Sequence, residues 1–351
     1  MRAVVLVGGE GTRLRPLTYD SPKPLLSICN VPLVEWQLAW LEHHGISEVV
    51  LALGYLADPF VEHFADGRFR SLDLRYAVED RPLGTAGAIR FALDEVGGAG
   101  ERVVVCNGDI LTGLNLTSLV KTHDDRGAAA TIALTQVADP TAFGVVPIDE
   151  RGDVVAFVEK PAPGEAPTDW VNAGTYVLEP EVLARIPAGR NVSIERETFP
   201  SLIGRGLSAV RSPEYWIDIG TPEKLLQAQL DVLGGAMDGL DLVVAPGLHA
   251  MPATKVVRAE GVEVAPGARV ESSVLGARCV IGADACVTRS MVLEGACVGE
   301  RAVVVDSIVG RGAHVGAGAT LSDVTVVGSG ERVADGSRLV GARVGMRGGD
   351  A

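Results

Sequence analysis

The chain opens with Ala3-Val4-Val5-Leu6-Val7 and Gly8-Gly9-Glu10-Gly11-Thr12-Arg13-Leu14-Arg15-Pro16-Leu17, and Pro22-Lys23-Pro24 follows. Five consecutive apolar residues bounded by glycine predict a buried strand of a parallel sheet. Three glycines in four positions allow the backbone to approach a ligand closely and to direct several N–H groups at it. Arg13, Arg15 and Lys23 add positive charge beside those groups. The stretch therefore predicts a strand followed by a loop that binds a polyphosphate.

The loop differs from the two common phosphate-binding motifs. The chain contains no run of glycine, four residues and then Gly-Lys-Ser/Thr, which a P-loop requires. In the dinucleotide fingerprint, a third glycine would follow Gly9-Glu10-Gly11 at position 14, which is Leu14. An ordinary strand-to-helix turn would explain the glycines but not the ordered basic residues.

Composition limits the class of protein. A chain of 351 residues that is 47% hydrophobic and 22% charged can bury a sizeable core and is expected to form two domains. The net charge of −14 argues against a nucleic-acid partner, which would require a basic face. The five cysteines include no CxxC pair, which predicts a reducing compartment and no zinc site. Because no apolar stretch approaches the roughly 18 residues of a membrane span, we expect a cytoplasmic protein without a membrane partner.

Strand and helix patterns alternate up to about residue 233. Continuous apolar runs predict strands. Segments that begin at a proline or polar residue and end at a glycine predict helices. The predicted strands are 3–7, 48–54, 72–78, 103–106 and 170–178, with a hairpin of 143–147 and 154–158; the predicted helices are 32–44, 58–64, 85–96 and 222–233. This order predicts an α/β fold with a Rossmann-like, mostly parallel sheet. Ligands bind such sheets at the carboxyl ends of the strands, so the opening loop and Asp109 should face one cleft.

The pattern changes from about residue 256, where aromatic residues disappear. Apolar residues recur every six positions, with two slips of one residue, at Leu275, Ile281, Val287, Leu293, Val298, Val304, Val309, Val315, Leu321, Val327, Val333 and Leu339. A six-residue period with small residues at the corners is typical of a parallel β-helix of hexapeptide repeats, whereas a β-sandwich would not keep that period. We therefore predict an α/β domain at 1–233, a linker at 234–253, a β-helix at 254–345 and a tail at 346–351.

Two aspartates are candidate metal ligands. Asp109 follows the apolar run Val103-Val104-Val105-Cys106, and Asp218 lies in Tyr215-Trp216-Ile217-Asp218-Ile219-Gly220-Thr221, just before a predicted helix. A carboxylate beside polyphosphate would be repelled unless a cation lay between them, and Mg²⁺ takes one or two carboxylates together with phosphate oxygens and water. Each aspartate alone would more simply be a turn or helix-cap residue. Together with the loop, the pair predicts a Mg²⁺ site.

Polar residues at later strand ends suit a second, smaller phosphate and its sugar. Glu159-Lys160-Pro161 combines a lysine that could neutralise a phosphate with a glutamate that could accept hydrogen bonds from sugar hydroxyls. Taken alone, this pair would be a solvated strand end. The Asn172 amide can donate and accept, which suits hydroxyl recognition. The segment from Glu79 to Gly87 is a glycine-containing turn against which a flat base could lie.

In this order, the segments resemble those of the sugar-1-phosphate nucleotidyltransferases over essentially the whole chain. Within that superfamily, the chain is most similar to mannose-1-phosphate guanylyltransferases with a C-terminal left-handed β-helix. The matching segments are the opening loop with Pro22-Lys23-Pro24, Pro82-Leu83-Gly84-Thr85-Ala86-Gly87, Asn107-Gly108-Asp109, Phe143-Gly144-Val145-Val146, Phe157-Val158-Glu159-Lys160-Pro161, Asn172-Ala173-Gly174, Ser193-Ile194-Glu195 with Phe199-Pro200, and Trp216-Ile217-Asp218-Ile219-Gly220.

The resemblance implies roles for individual residues. The residues that would bind a nucleoside triphosphate are Leu6, Gly8, Gly9, Gly11, Thr12, Arg13, Lys23, Gly84, Thr85 and Asp109. The residues that would bind the sugar phosphate are Gly144, Glu159, Lys160 and Asn172. The cofactor Mg²⁺ would be held by Asp109 and Asp218. Catalysis would depend on Arg13, Lys23, Lys160 and Asp109.

The implied reaction transfers a nucleotidyl group to a sugar 1-phosphate, with release of pyrophosphate. Thymidylyltransferases of the superfamily usually carry glutamine where this chain has Leu83-Gly84-Thr85-Ala86-Gly87, so the resemblance favours GTP and mannose 1-phosphate. The alternatives are a glucose-1-phosphate thymidylyltransferase, a heptose-1-phosphate enzyme, or a non-catalytic subunit that senses sugar nucleotides. Acyl transfer by the β-helix would need a histidine at the coil interface, and only His314 lies in the repeat. The β-helix is expected to support a homo-oligomer.

Overall fold

The computed structural model describes residues 1–54, 57–98, 100–237, 249–251 and 254–348. Most of the predicted linker at 234–253, and residues 349–351 of the predicted tail, lie outside the described residues. The chain divides into two compact units. We call Met1–Gly9 with Gln37–Trp216 the sheet unit, and Glu10–Trp36 with Ile217–Ala351 the β-helix unit.

Short strands and helices alternate along residues 1–237. The helices are α1 (Leu33–His43), α2 (Asp58–His63), α3 (Gly84–Glu95), α4 (Leu116–Arg126), α5 (Pro180–Leu183), α6 (Phe199–Leu202) and α7 (Pro222–Leu233), with single helical turns at Thr12–Leu14, Lys23–Leu25, Pro140–Ala142 and Ile194–Thr198. The strands are β1 (Arg2–Leu6), β2 (Ser27–Ile28), β3 (Val31–Pro32), β4 (Glu48–Leu53), β5 (Arg68–Phe69), β6 (Leu72–Val78), β7 (Val103–Asn107), β8 (Ile110–Thr112), β9 (Ala130–Gln136), β10 (Gly144–Val145), β11 (Val158–Glu159), β12 (Trp170–Leu178), β13 (Leu207–Arg211) and β14 (Trp216–Asp218). Among the described helices, none is both long and apolar enough to cross a membrane.

Ten strands of the sheet unit form one sheet. Its order is β11-β10-β12-β7-β1-β4-β6-β5, with β9 also beside β12 and β13 beside β9. The centre, β7-β1-β4-β6, is parallel as predicted, and β1, β4 and β7 are buried along most of their length. That burial explains their continuous apolar runs. β12 runs antiparallel to β7, β9 and β10, so the sheet as a whole is mixed.

The predicted bounds 170–178 and 222–233 coincide with β12 and α7. The predicted hairpin is present as β10 and β11, which pair antiparallel with Gly144 opposite Glu159. Its strands are shorter than predicted because Ile148 and Val154 form only an isolated bridge, and Asp153 bridges instead to Ser208 of β13.

The repeat region forms three parallel sheets, those of the predicted left-handed β-helix. The first contains β16 (Val256–Arg258), β19 (Val274–Leu275), β22 (Met291–Val292), β25 (Ile308–Val309), β28 (Val326–Val327) and β31 (Arg343–Val344), with β15 (His249–Met251) antiparallel to β16. The second contains β17 (Glu263–Val264), β20 (Val280–Ile281), β23 (Cys297–Val298), β26 (His314–Val315) and β29 (Arg332–Val333). The third contains β18 (Arg269–Glu271), β21 (Cys286–Thr288), β24 (Val303–Val305), β27 (Thr320–Ser322) and β30 (Arg338–Val340).

Most coils of this β-helix contain 17 residues rather than three full hexapeptides. Ser290 lies against Ser273, and Ser307 against Ser290, each 17 positions further along the chain. One prediction is therefore wrong: Val292 is fully buried, whereas Leu293 is only partly buried. The slips arise because the corner between the third and first sheets is one residue shorter than the other two corners.

A column of hydroxyl residues lines the corner between the third and first sheets. Ser273, Ser290, Ser307 and Thr325 are fully buried. The Ser290 hydroxyl donates to the carbonyl of Thr288 at 2.8 Å and accepts from the N–H of Ser307 at 3.1 Å in the next coil. Each hydroxyl of this kind can satisfy a backbone donor that has no carbonyl partner at the tight corner.

Ser290→Ala is expected to lower the free energy of unfolding by about 1–3 kcal/mol, because the buried N–H of Ser307 would lose its acceptor. Urea denaturation followed by circular dichroism measures the change. Ser118→Ala, at an exposed position on α4, is the control and should leave the midpoint unchanged. Equal stability of the two variants would show that the hydroxyl column contributes nothing to the β-helix.

Candidate active site

The carboxyl ends of β1 and β7 lie side by side in the sheet unit. Leu6 pairs with Asn107, and the N–H of Gly108 donates to the carbonyl of Leu6 at 2.8 Å. A Cβ atom at Gly108 would lie only 2.5 Å from that oxygen, so glycine permits the close approach. Gly8 therefore follows β1, and Asp109 follows β7, at the same edge of the sheet.

Gln37 fixes the turn that carries Asp109. It lies on α1 and is only 3% exposed, and its Nε2 donates to the carbonyls of Asn107 at 2.7 Å and Ile110 at 2.9 Å. The two hydrogen bonds flank Gly108-Asp109 and hold both ends of the turn. No motif in the sequence assigns a role to Gln37. The available signal was one amide among apolar helix neighbours, since a buried amide needs hydrogen-bond partners.

Gln37→Met is expected to lower kcat about tenfold and to raise the Mg²⁺ concentration needed for half-maximal activity. Methionine keeps the length of the side chain but loses both hydrogen bonds, each contributing about 1 kcal/mol to the turn. Pyrophosphate release against Mg²⁺ concentration measures both quantities. Gln227→Met is the control. It removes a side-chain hydrogen bond from Gln227 to Asp231 that lies exposed on α7. If both variants had the wild-type Mg²⁺ dependence, Gln37 would have no part in positioning Asp109.

The start of α3 carries two predicted nucleotide-binding residues, Gly84 and Thr85. Gly84 has a φ of 69°, and a Cβ atom there would lie 2.6 Å from the carbonyl oxygen of Val192, so a side chain does not fit. The Thr85 hydroxyl donates to Oε2 of Glu195 at 2.8 Å and accepts from the N–H of Ile194 at 2.8 Å. These bonds tie α3 to the Ser193-Ile194-Glu195 segment.

Three neighbouring strands carry the predicted sugar-phosphate residues. Gly144 on β10 pairs with Glu159 on β11, and a Cβ atom at Gly144 would lie 3.0 Å from Oε2 of Glu159. Lys160 adopts a left-handed φ of 49°, which its N–H supports by donating to the carbonyl of Phe143 at 3.0 Å. Its side chain is 61% exposed. The structure therefore brings together the set Gly144, Glu159, Lys160 and, on β12, Asn172.

Asn172 is oriented by two bonds within β12. Its Oδ1 accepts from the N–H of Gly174 at 2.9 Å, and its Nδ2 donates to the Tyr176 hydroxyl at 2.8 Å. Both bonds lie where the register of β12 with β9 shifts. Burial, and then the charges of Glu195 and Asp109, raise the pKa of Tyr176 well above its ordinary value, so the phenol stays protonated. The amide is thus held in one orientation at the strand end.

Charged residues of the β-helix unit converge around Gly220. Nζ of Lys23 lies 3.9 Å from Oδ1 of Asp218, and the Lys23 side chain is only 12% exposed. A Cβ atom at Gly220 would lie 2.9 Å from Nη2 of Arg13 and 3.4 Å from Oδ1 of Asp218. Gly11 has a φ of 59°, and a Cβ atom there would lie 3.2 Å from Cβ of Lys23. The predicted residues that the structure places in this group are Gly11, Thr12, Arg13, Lys23 and Asp218.

Each of the two predicted metal ligands supplies a single carboxylate. Asp109 lies in the turn held by Gln37, and Asp218 lies beside Lys23 in the β-helix unit. Across residues 1–54, 57–98, 100–237 and 254–348, no three histidine, cysteine or acidic side chains form a metal-binding cluster. Single carboxylates of this kind fit Mg²⁺, which completes its shell with phosphate oxygens and water, and do not fit zinc.

Comparison with known proteins identifies both parts of the chain. Residues 2–234 match the family model described as nucleotidyl transferase, and residues 253–346 match that described as GMPPB C-terminal domain. The chain is 40% identical over 289 residues to a mannose-1-phosphate guanylyltransferase of Mycobacterium tuberculosis, which covers 78% of this chain and 79% of that protein. It is 31% identical over 325 residues to a UTP–glucose-1-phosphate uridylyltransferase of Synechocystis, which covers 84% and 83%. The crystal structure of HddC from Yersinia pseudotuberculosis matches with a TM-score of 0.56 at 28% identity, covering 66% of this chain and 99% of HddC.

One of these matches contains all the predicted site residues. The nucleotidyl transferase model extends from before Leu6 to beyond Asp218 and spans more than half of the chain. The two named relatives are nucleotidyltransferases for sugar 1-phosphates, by their names, and differ in nucleotide and sugar. The chain belongs to the nucleotidyl transferase family.

Proposed function

We propose that this nucleotidyltransferase transfers a guanylyl group from GTP to mannose 1-phosphate, forming GDP-mannose and pyrophosphate. The observation that carries the proposal is the similarity to the Mycobacterium tuberculosis mannose-1-phosphate guanylyltransferase over most of both chains. The match of residues 253–346 to the GMPPB C-terminal domain model supports the same assignment. The similarity to a UTP–glucose-1-phosphate uridylyltransferase, at 31% identity, supports the same type of reaction. By its name, that relative uses a different nucleotide and a different sugar.

The proposed chemistry is a single in-line displacement. A phosphate oxygen of mannose 1-phosphate forms a bond to the α-phosphorus of GTP. The bond from that phosphorus to the oxygen bridging to the β-phosphorus breaks, and pyrophosphate leaves. The attacking oxygen is already anionic, so little proton transfer is needed. Catalysis then depends on positioning the two substrates and on neutralising negative charge.

Basic side chains are proposed to bind the two phosphate-bearing substrates. Arg13 and Lys23 would hold the triphosphate and stabilise the leaving pyrophosphate, which their convergence around Gly220 supports. Lys160 would orient the phosphate of mannose 1-phosphate, which its constrained backbone supports. The residues proposed to surround the sugar are Gly144, Glu159 and Asn172. Those proposed to line the base and ribose are Gly8, Gly9 and Gly84, with Leu6 and Thr85 also proposed to bind the nucleotide.

Asp109 and Asp218 are proposed to hold Mg²⁺. When bound, this ion would neutralise charge on the phosphates of GTP. The two hydrogen bonds of Gln37 fix the backbone of the turn that carries Asp109. Nζ of Lys23 lies 3.9 Å from Oδ1 of Asp218 and places a positive charge beside that carboxylate.

We further propose the predicted division into a catalytic domain at 1–233 and a β-helix domain at 254–345. The ends of the two family models, at 234 and 253, support it. The β-helix domain is proposed to support a homo-oligomer, because stacked coils offer flat sides to a second copy. All five cysteines are free thiols, which supports the proposal of a reducing, cytoplasmic setting.

Incubation of the purified protein with GTP, mannose 1-phosphate and Mg²⁺, followed by anion-exchange separation, tests the proposed reaction. We expect GDP-mannose and pyrophosphate in equal amounts, and neither product when mannose 1-phosphate is omitted. A folded protein that binds GDP-mannose but forms no product would overturn the catalytic proposal and favour a sugar-nucleotide sensor.

A further inference from the structure

Tyr19 links the loop that carries Arg13 to the last described residues of the β-helix unit. Its phenol oxygen accepts a hydrogen bond from the N–H of Arg347 at 2.9 Å and lies 4.0 Å from Sδ of Met346. The guanidinium carbon of Arg347 lies 4.3 Å from the ring centroid, and that of Arg15 lies 5.4 Å from it. One ring therefore makes cation–π contacts with a loop residue and with a residue from the C-terminal segment.

Two further residues of the segment from Glu10 to Trp36 contact the β-helix, namely Pro16 in the loop and Asn30 between β2 and β3. A Cβ atom at Gly328, just after β28, would lie 3.2 Å from the ring carbons of Pro16, so the glycine allows the loop to pack closely. Nδ2 of Asn30 donates to the carbonyl of Leu275 at 2.9 Å. The segment that contains Arg13 and Lys23 is therefore held against coils at both ends of the β-helix.

The final coil also contacts the helix that follows Asp218. Nη2 of Arg343, on β31, lies 2.5 Å from Oε1 of Glu223 in the first turn of α7. β31 ends at Val344, and Met346 and Arg347 follow after Gly345. The end of the β-helix thus supports both chain segments that contribute charge around Gly220.

We propose that Met346 and Arg347 form a C-terminal strap that positions Arg13 and Lys23 for nucleotide binding. The inference rests on the proposed role of those two residues in binding the triphosphate. Without the strap, the loop would have to be ordered when the nucleotide binds, and that ordering would weaken binding. Arg347 acts through Tyr19 and is therefore a positioning residue.

Three variants weaken the strap in different ways: a chain ending at Gly345, Arg347→Ala, and Tyr19→Phe, which removes only the hydroxyl. Relative to the wild-type enzyme, we expect the KM for the nucleoside triphosphate to rise roughly 3- to 10-fold and the KM for the sugar phosphate to stay unchanged. Arg347→Lys keeps a cation over the ring and should restore most of the loss. A chain ending at Gly348 keeps the strap and is the matched control.

Trypsin provides a readout that does not require turnover. Within residues 10–24, Arg13-Leu14 is the cleavable bond, because Arg15 and Lys23 each precede proline. We expect cleavage after Arg13 to be roughly 3- to 10-fold faster in the strap variants, because their loop opens more often. The thermal unfolding temperature should stay close to that of the wild type.

Unchanged KM and unchanged cleavage in the chain ending at Gly345 would overturn the strap, and so would equal effects in the chain ending at Gly348. If the shorter chain does not fold, Arg347→Ala and Tyr19→Phe decide the question. A wild-type protein without turnover would count against the proposed function, whereas the rate of cleavage after Arg13 would still decide whether the strap restrains the loop.

Discussion

Asp109→Asn is expected to lower kcat by about 100-fold or more in the presence of Mg²⁺, while the protein stays folded. Asparagine keeps the size of the side chain but removes its negative charge. The turn is held by the two Gln37 hydrogen bonds, which the substitution does not touch. Loss of several kcal/mol of charge neutralisation in the transition state corresponds to at least two orders of magnitude in rate. Initial rates of pyrophosphate release at saturating substrate measure the effect.

Asp125→Asn is the matched control for this prediction. Asp125 lies on the exposed face of α4, where it pairs with Lys121 at the surface, and its loss should leave kcat unchanged. Asp218→Asn should resemble Asp109→Asn if both carboxylates hold the same ion. Wild-type turnover in Asp109→Asn would remove the basis for the Mg²⁺ assignment.

Arg13→Ala is expected to lower kcat/KM for the nucleoside triphosphate by about 10²- to 10³-fold, the usual loss when one stabilising group for developing charge is removed. Arg13→Lys should recover only part of the activity, since an ammonium group cannot hold phosphate oxygens in the bidentate way of a guanidinium. Steady-state kinetics with varied nucleotide, and inhibition by pyrophosphate, measure the change.

Gly220→Ala tests the same position without changing any charge. Its methyl group would lie 2.9 Å from Nη2 of Arg13 and displace the guanidinium, so kcat/KM should fall about tenfold with weaker pyrophosphate inhibition. Arg205→Ala, at an exposed position after α6, is the control. If Arg13→Ala and Arg205→Ala had the same kinetics, Arg13 would not bind the triphosphate.

The fold could be predicted wherever burial sets the sequence pattern. β12 and α7 were found with their observed bounds, because apolar runs and the proline start of the helix mark them directly. The position of the β-helix corner could not be predicted, since the six-residue period points to Leu293 and the buried residue is Val292. Val292 and Leu293 are both apolar, so hydrophobicity does not tell which of them is buried. The buried position is set by Ser290 at the corner, whose hydroxyl accepts a hydrogen bond from Ser307 in the next coil.

The site could be predicted in part, for a related physical reason. Asp109 and Lys160 follow strands, so the alternation of elements places them at a sheet edge. Gln37 could not be assigned, because its function comes from carbonyl groups some seventy residues away. The hydrogen bonds of the Thr85 hydroxyl to Glu195 and Ile194 could not be predicted either, because they join separate parts of the chain. Contacts across long sequence separations leave no local signal.

The most direct test of the proposed function compares kcat/KM for pyrophosphate release in the presence of Mg²⁺. GTP, dTTP, UTP, ATP and CTP are each paired with mannose 1-phosphate and with glucose 1-phosphate. We predict that GTP with mannose 1-phosphate exceeds every other pair by about tenfold or more. A higher value for UTP or dTTP with glucose 1-phosphate would contradict the guanylyltransferase assignment, and no release from any pair by a folded sample would contradict catalysis itself.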